Sequence, residues 1–319
     1  MTAGSPVQGW SGEDPGWTVV VDEALHFLGD RLRSDEPLAP LCTYRVGGAA
    51  RRFVEVRDAE ELAMVVAALA EAALGGRAAV VGRGSNLLVA DRGFDGVVIR
   101  LGEHFAKVEV AGTGVVSGAA ASLPVVARRT VAEGLSGFEW AVGVPGSMGG
   151  AVVMNAGGHG SDMRAVVSGV RVHDLLSGET RDMPSSELDF AYRHSAIGPH
   201  QIVSRVELAL EPGERERGEQ LLSEIVRWRR ENQPGGPNAG SVFTNPPGDS
   251  AGRLIDEAGC KGLRVGTAEV SAKHANFIQA DRDGSADDVL ALMDEVVERV
   301  RQASGVTLQA ETRLLGFAR

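Results

Sequence analysis

Glycine is most concentrated in residues 143–160, and this stretch constrains the fold more than any other feature of the chain. The 319 residues contain 42 glycines, whereas an average usage of about 7% would give roughly 22. Because glycine has no Cβ, a run of glycines lets the backbone approach a flat or phosphorylated ligand closely. The stretch therefore predicts a loop that lines a ligand, and a compact loop without a ligand is the alternative.

A second glycine turn, residues 82–86, reads Gly-Arg-Gly-Ser-Asn. The dinucleotide fingerprint G-x-G-x-x-G needs a glycine at its sixth position and a helix after it, but Leu87 stands there and a strand-like run follows. A Rossmann site is therefore not expected. The two glycine amides and the side chains of Ser85 and Asn86 favour a nest for a phosphate, and an ordinary connecting turn is the alternative.

Composition limits the class of protein. A formal net charge of -11 and a pI near 5.2 argue against a general nucleic-acid binder. No apolar run approaches the roughly 18 residues of a membrane span, and the N-terminus lacks the pattern of a signal peptide. Cys42 and Cys260 are too few for a disulfide framework, so we expect reduced, buried thiols. The seven histidines show no metal-ligand spacing, so no metal is expected.

Hydrophobic periodicity predicts an α+β protein with three lobes, residues 37–105, 106–213 and 214–319, after a flexible leader of residues 1–36. In the first lobe we predict a partly parallel sheet from strands at 51–56, 78–81, 87–90 and 96–101, with a helix at 59–74. In the second lobe we predict strands at 108–110, 166–173 and 202–210 and a helix at 123–133. In the third we predict helices at 219–232, 251–258 and 286–302 and a strand at 275–279.

Three polar side chains stand in short motifs without an obvious chemistry. Ser241 lies in a turn, but no G-x-S-x-G elbow surrounds it, so a hydrolase nucleophile is a poor interpretation. Without further information, Arg193 is interpreted as a solvated arginine and Glu311 as a surface acid. From the residues alone, the chain is a glycine-rich phosphate binder with unassigned chemistry.

Six motifs, taken in order and at their spacing, resemble the UDP-N-acetylenolpyruvoylglucosamine reductases from about residue 37 to residue 316. The motifs are residues 43–48 (TYRVGG), 82–88 (GRGSNLL), 137–157, 190–193 (FAYR), 239–243 (AGSVF) and 311–316 (ETRLLG). One subfamily carries a long insertion with a tyrosine that covers the substrate. Here only a short link separates Asn245 from Arg253, so the chain resembles the shorter subfamily.

The resemblance implies an FAD-binding fold of the PCMH or vanillyl-alcohol-oxidase-like type, in which two lobes enclose the cofactor, followed by a C-terminal α+β substrate domain. It implies a cytoplasmic FAD-dependent oxidoreductase, a UDP-N-acetylmuramate dehydrogenase with NADPH as co-substrate. The substrate would be UDP-N-acetylglucosamine enolpyruvate and the product UDP-N-acetylmuramate. The reaction would serve peptidoglycan synthesis, and with it cell-wall biogenesis, cell shape and cell division, without nucleic-acid or membrane partners.

The family's catalytic positions fall on Arg193, Ser241 and Glu311. By resemblance, flavin N5 gives a hydride to the enolpyruvyl group and Ser241 supplies the proton. Arg193 and a protonated Glu311 would stabilise the negative charge that develops between these steps. The positions implied to contact FAD are Tyr44, Arg45, Gly82, Arg83, Gly84, Ser85, Asn86, Gly143, Pro145, Gly146, Gly149, Gly150, Asn155 and Gly157. Those implied to contact substrate are Tyr192, Arg229 and Asn245, with Arg229 or Arg230 replacing a diphosphate-binding lysine that many relatives have.

Two other classes of protein stay open. An oxidase on the same scaffold would pass electrons to oxygen and form peroxide from an alcohol. A non-catalytic protein that binds flavin or a nucleotide sugar would bind its ligand without oxidising NADPH. Arg193, Ser241 and Glu311 together have no clear purpose in either.

Overall fold

The computed structural model describes residues 16–318, and its N-terminal segment forms a four-stranded sheet. In chain order this segment contains α1 (Trp17–Ala24), β1 (Arg33–Pro37), β2 (Ala49–Val56), α2 (Ala59–Glu71), β3 (Ala78–Val80), β4 (Leu87–Val89) and β5 (Phe94–Leu101). The strand order is β1-β2-β5-β3. β2, β5 and β3 are parallel, and β1 pairs antiparallel with β2 at the edge. The partly parallel sheet predicted for this segment is confirmed.

Helix α2 shows why the local prediction succeeded. Asp58 precedes the helix, and its carboxylate accepts a hydrogen bond from the Glu61 amide at 2.9 Å, which satisfies one of the free amides of the first turn. The apolar residues recur at helical spacing and are all buried: Leu62, Val65, Val66 and Leu69. The cap fixes where the helix begins, and the apolar stripe determines which face packs on the sheet.

The prediction of a flexible leader over residues 1–36 is wrong for residues 17–36. Trp17 and Val21 of α1 are 5% and 0% exposed, in one core cluster with Leu62 of α2. β1 forms the edge of the sheet, where Arg33 pairs with Phe53. Because β1 (RSDEP) is polar and almost wholly exposed, it carries no hydrophobic alternation that could reveal a strand. Residues 1–15 of the predicted leader lie outside the described residues.

The middle segment forms a five-stranded antiparallel sheet. Its elements are β6 (Val108–Ala111), β7 (Gly114–Gly118), α3 (Leu123–Ala132), β8 (Leu135–Ser136), α4 (Met148–Val153), β9 (Gly157–Gly158), β10 (Ser161–Asp162), β11 (Val167–Asp174), β12 (Thr180–Pro184), β13 (Gln201–Ala209) and β14 (Glu211–Pro212). The strand order is β12-β11-β13-β7-β6. Apolar residues of α3 and α4, such as Val126 and Val152, share a core with Val170 and Val206 of the sheet. The second glycine stretch lies around α4, next to this core.

The C-terminal segment packs two helices on a small antiparallel sheet. Its elements are α5 (Arg215–Asn232), α6 (Ala251–Glu257), β15 (Arg264–Val265), β16 (Ala268–Val270), β17 (Ile278–Ala280), α7 (Ala286–Ser304) and β18 (Arg313–Leu315). The strand order is β15-β16-β17. Ser285 caps α7 by accepting from the Asp288 amide, and Gly305 ends it with a φ of 74°. α5 begins at Arg215, earlier than predicted, and β17 begins at Ile278, later than predicted.

The C-terminal segment is joined to the first lobe at two places. β18 pairs in parallel with β4, with Arg313 opposite Leu87, so β4 is not a strand of the first sheet. Asp91 accepts hydrogen bonds from the Ala286 and Asp287 amides at 2.9 and 3.1 Å, where a carboxylate complements the positive end of α7. The lobe boundaries at residues 106 and 214 stay predictions, and the third segment is not separate from the first in space.

Within residues 16–318, no helix is long and apolar enough to cross a membrane. Both cysteines are free and buried, as the sequence predicted. Burial raises the pKa of Cys42 to about 12, which keeps its thiol protonated.

Candidate active site

The turn of residues 82–86 connects β3 to β4 and leaves its amides free. Across residues 16–318, no protein acceptor lies within hydrogen-bonding distance of the five backbone N–H groups of this turn. Gly84 has a φ of +59°, and a Cβ there would lie 2.3 Å from the Leu41 carbonyl oxygen. Glycine is therefore required at this position by both conformation and space. Gly82 and Arg83 are exposed, so the free amides border open space.

The second glycine stretch lies directly beside this turn. A Cβ on Gly82 would be 2.6 Å from Ser147 Oγ, and a Cβ on Gly146 would be 3.6 Å from Ser85 Oγ. Residues that lie about 60 positions apart in the sequence are therefore brought together where one lobe packs against the next. We call the two adjoining glycine turns the glycine cradle (residues 82–86 and 143–147).

Arg193 and Glu311 form an ion pair, with Arg193 Nε 2.6 Å from Glu311 Oε1. Their side chains are 24% and 14% exposed. Burial raises the pKa of the Glu311 carboxyl above its ordinary value, and the charge of Arg193 partly offsets that rise. Arg193 has a φ of 56°, a left-handed conformation that is rare outside glycine and asparagine and is often found at functional sites.

Ser241 is brought beside this pair by backbone pairing. The Glu311 amide donates to the Val242 carbonyl at 2.7 Å, and Phe243 forms a bridge with Ala310. The Asn86 side chain donates from Nδ2 to the Glu311 carbonyl at 3.0 Å. The residue after Ser241, the acid Glu311 and the phosphate-type turn are therefore held together by direct hydrogen bonds.

A groove of about 390 Å³ opens next to Ser241. Its lining residues are Ser241, Asn245, Ser250, Gly252, Arg253, Asp256, Lys261, Lys273, His274, Ala275 and Asn276. The sequence predicted Ser241 and Asn245 and missed the cations. Lys261 and Lys273 stand alone in loops, so no local pattern marks them, and only the folding of residues 261–276 against residues 241–253 places them in one groove.

Two predicted contact residues direct their side chains into the protein. Tyr44 is fully buried in the core that also contains Val242 and Leu292, and its hydroxyl has no hydrogen-bond partner among the described residues. Arg229 donates from Nη1 to the Gly143 carbonyl at 2.6 Å and from Nε to Gln233 Oε1 at 2.8 Å. Burial lowers its pKa. Arg229 therefore braces the glycine cradle from α5.

The remaining predicted contact residues form two groups, those that are needed for close packing and those that are exposed. A Cβ on Gly149 would be 2.9 Å from Ala119 Cβ, and a Cβ on Gly157 would be 2.6 Å from Asp162 Cβ, so both glycines are needed for close packing. The predicted contact residues on the exposed side are Arg45, Pro145, Gly150, Tyr192 and Asn245. The Tyr192 ring is 58% exposed and lies 5.2 Å from the Arg193 guanidinium carbon.

Comparison with known proteins identifies the class. Residues 50–183 match the family model of an FAD-binding domain, and residues 232–315 match that of the C-terminal domain of UDP-N-acetylenolpyruvoylglucosamine reductase. Together with the α+β fold and the glycine cradle, the first match defines a flavoprotein oxidoreductase that uses FAD.

The chain is 44% identical over 90% of its length to UDP-N-acetylenolpyruvoylglucosamine reductase 2 of Symbiobacterium thermophilum, and 92% of that relative is covered. It is 45% identical over 88% of its length to the reductase of Heliobacterium modesticaldum, and 90% of that protein is covered. The crystal structure of the reductase from Thermus caldophilus matches with a TM-score of 0.77 at 37% identity, over 89% of this chain and 99% of that one. The chain belongs to the UDP-N-acetylenolpyruvoylglucosamine reductase family, whose enzymes serve peptidoglycan precursor synthesis.

The residues present fit FAD. A pyrophosphate needs several unpaired donors at close range, and the free amides of residues 82–86 supply them. The backbone of residues 143–146 lies beside the turn of residues 82–86, and glycine is needed at positions 82, 143 and 146 because a Cβ there would come within 2.6, 3.0 and 3.1 Å of a neighbouring side chain. The FAD predicted from the sequence is thus supported by the family match and by the shape of the cradle.

Proposed function

We propose that this enzyme uses NADPH to reduce UDP-N-acetylglucosamine enolpyruvate to UDP-N-acetylmuramate, with Arg193, Ser241 and Glu311 as its catalytic residues. The observation that carries this proposal is the Arg193–Glu311 ion pair, whose acid donates from its amide to the residue after Ser241. Ser241 itself lines a groove that also contains cationic side chains. The paired Arg193 and Glu311 suit a carboxylate that gains negative charge, and the groove suits the diphosphate of a nucleotide sugar. We place the reaction in the cytoplasm.

The glycine cradle would hold the cofactor, with residues 82–86 on the pyrophosphate and residues 143–146 along the ring system. In that position FAD would supply hydride chemistry, from NADPH to the terminal carbon of the enolpyruvyl group. The protein would bind and orient the reactants and move one proton.

Arg193 and Glu311 would stabilise the negative charge that develops on the substrate carboxylate. The guanidinium fork can hold both carboxylate oxygens in a fixed geometry. Glu311 can act beside it as a hydrogen-bond donor because burial raises the pKa of its carboxyl. Their contact fixes both groups before substrate arrives, so less ordering remains to be done on binding.

Ser241 would donate its hydroxyl proton to the adjacent substrate carbon. It lies in a turn after Gly240, which has a φ of 77°, and the following residues are pinned by Glu311 and by the Asn276 side chain, whose Oδ1 accepts from the Phe243 amide at 3.0 Å. A rigidly placed hydroxyl is what general-acid catalysis requires, and such a group contributes about 10² to 10⁴ in rate.

The groove beside Ser241 would bind the diphosphate. Lys273 Nζ donates to the Arg230 carbonyl at 2.6 Å, which fixes its position and leaves two of its three hydrogens for a ligand. Asn245 Oδ1 accepts a hydrogen bond from the Ala251 amide at 3.0 Å. The NH₂ group of the same side chain would then donate to the substrate. Of the predicted substrate contacts, we therefore retain Asn245, and we propose Lys273 in place of Arg229 for the diphosphate.

Ser241→Ala tests this assignment. The variant should bind FAD and lose its yellow colour with NADPH at the normal rate. Recovery of the colour on adding the enolpyruvyl substrate without oxygen should slow by about 10² or more, because the proton donor is missing. Stopped-flow absorbance measures both steps, and Ser223→Ala, on the exposed face of α5, is the matched control. Normal recovery in Ser241→Ala would exclude Ser241 as the acid.

A further inference from the structure

The side chain of Asn155, at the end of the second glycine stretch, is committed to contacts inside the protein. The residue is 2% exposed. Its Nδ2 donates to the Ala191 carbonyl at 2.9 Å and to Asp162 Oδ2 at 3.2 Å, and its Oδ1 accepts from the Arg164 amide at 3.0 Å. Both partners of the nitrogen are acceptors and the partner of the oxygen is a donor, so only one amide orientation satisfies all three. Both hydrogens of Nδ2 are used, which leaves no donor for the cofactor.

The Ala191 carbonyl belongs to the turn that carries Arg193. Ala191 and His194 exchange two backbone hydrogen bonds of 3.1 Å across this turn, and Arg193 sits between them in its left-handed conformation. The next residue, Ser195, donates from Oγ to the Val153 carbonyl at 3.0 Å. The turn is therefore attached to residues 153–155 by two side-chain hydrogen bonds, and the Arg193 guanidinium meets Glu311 on its other side.

We propose that Asn155 is a positioning residue that holds the Arg193 turn against the end of the second glycine stretch, and so sets where the guanidinium stands relative to Glu311. This inference rests on the proposed function of Arg193. It replaces the prediction that the Asn155 side chain contacts FAD. The end of the second glycine stretch and the proposed charge-stabilising arginine are then parts of one hydrogen-bonded unit, although about 40 residues of chain separate them.

Three features explain why asparagine stands at this position. Its φ of 40° lies in the left-handed region that asparagine and glycine tolerate best. An aspartate would place oxygen against the Ala191 carbonyl and the Asp162 carboxylate, which are both acceptors. An alanine would remove the side-chain hydrogen bonds to the Arg164 amide and to the Ala191 carbonyl, which would keep its hydrogen bond from the His194 amide.

Asn155→Gly and Asn155→Asp test the proposal in the FAD-loaded full-length enzyme. Asn155→Gly keeps the backbone conformation and removes the amide, so any loss reports on the hydrogen bonds and not on strain. Asp283→Gly is the control, because Asp283 also has a positive φ, 57°, but lies in an exposed loop. We expect both Asn155 variants to keep their FAD and to bleach with NADPH within about threefold of the parent rate. Colour recovery with the enolpyruvyl substrate should fall about 10²-fold, since a misplacement of about 1 Å has that effect.

Hydrogen exchange by mass spectrometry gives a readout that is independent of turnover. Peptides covering residues 189–195 should exchange faster in both Asn155 variants than in the parent and in Asp283→Gly. Parent-like substrate reduction with unchanged exchange would overturn the inference. So would an equal loss of both half-reactions with loss of FAD, because that outcome means a cofactor contact. If the parent enzyme itself does not reduce the substrate, the proposed function fails, and the exchange data still decide whether Asn155 holds the turn.

Discussion

At the scale of single residues, the proposed active site depends on the Glu311 carboxyl, which is buried beside the Arg193 guanidinium. Burial favours the neutral form of Glu311 and Arg193 favours the charged form, and the balance leaves the pKa raised. The Arg193–Glu311 pair is thus not a simple salt bridge that maximises stability. Burial raises the pKa of this carboxyl, which favours the protonated form that can donate a hydrogen bond.

The raised pKa of Glu311 predicts a pH dependence of catalysis. If the protonated carboxyl is the active form, turnover is full below this pKa and falls as the pH rises through it. Glu311→Gln keeps a hydrogen-bond donor at every pH, so it should lose the alkaline decline while turning over more slowly than the parent. Steady-state kcat across the pH range measures this, with Glu298→Gln on α7 as the control. An alkaline limb that persists in Glu311→Gln would assign the titration to another group.

At the scale of elements, strand β11 carries a buried polar network that the catalytic proposal does not use. His173 is 3% exposed, with Nε2 2.8 Å from Ser204 Oγ and Nδ1 2.8 Å from Thr180 Oγ1. Burial, with a smaller contribution from Arg171, lowers the pKa of His173 to about 4. The imidazole is therefore neutral in the fold and joins three strands of the middle sheet.

This network predicts a loss of stability in mild acid. An unfolded histidine titrates near 6.5, so its contribution is complete above about pH 6.5 and is lost as the pH falls toward 4, by up to about 3 kcal/mol. In His173→Gln, which does not titrate, the free energy of unfolding should change less between about pH 7 and about pH 5. Urea unfolding at the two pH values measures it, and His104→Gln, at an exposed position, should behave like the parent. The same pH dependence in both variants would contradict the assignment.

Elements whose signals are local could be predicted from the sequence, and those that depend on distant partners could not. The caps and apolar stripes of α2 and α7 are contained within the helices themselves, so both were predicted nearly to their ends. β1 has no apolar face and exists because its backbone completes the edge of β2. β4 was predicted as a strand, but its partner β18 lies more than 200 residues further along the chain, and no local pattern contains that information.

The same distinction between local and distant signals applies to the candidate site. Residue type and order in the motifs carry the assignment of Arg193, Ser241 and Glu311, and of the glycines of residues 82–86, and these roles stay predictions. What each side chain contacts depends on the tertiary fold. Asn155 and Arg229 were predicted to contact ligands, yet the fold gives both of them carbonyl partners within the protein. Lys273 was missed because a lone lysine in a loop has no distinguishing pattern.

At the scale of the whole molecule, the first and third segments share one core. Tyr44, from the first lobe, is buried with Val242, Leu254 and Leu292 of the C-terminal segment, and β4 and β18 continue this contact as a strand pair. Glu311 lies two residues before β18, so the position of the acid is tied to the lobe that carries residues 82–86. Arg193 meets this acid from the middle segment.

Tyr44 tests this shared core. Its hydroxyl has no partner among the described residues, so Tyr44→Phe should leave the free energy of unfolding unchanged or slightly higher and should not weaken FAD binding. Tyr44→Ala should cost about 3 to 5 kcal/mol, because it leaves a large cavity between two segments. Urea unfolding and fluorescence titration of FAD measure the two effects. A marked loss of FAD affinity in Tyr44→Phe would instead mean that the hydroxyl contacts the cofactor.

The central claim is that a flavin held by the glycine cradle acts on an enolpyruvyl ether next to Arg193, Ser241 and Glu311. The most direct test is an anaerobic single-turnover measurement on the purified yellow protein. One equivalent of NADPH should bleach the visible absorbance, and UDP-N-acetylglucosamine enolpyruvate should restore it with formation of one equivalent of UDP-N-acetylmuramate. Absorbance that stays bleached with this substrate and returns only when oxygen is admitted would contradict the account.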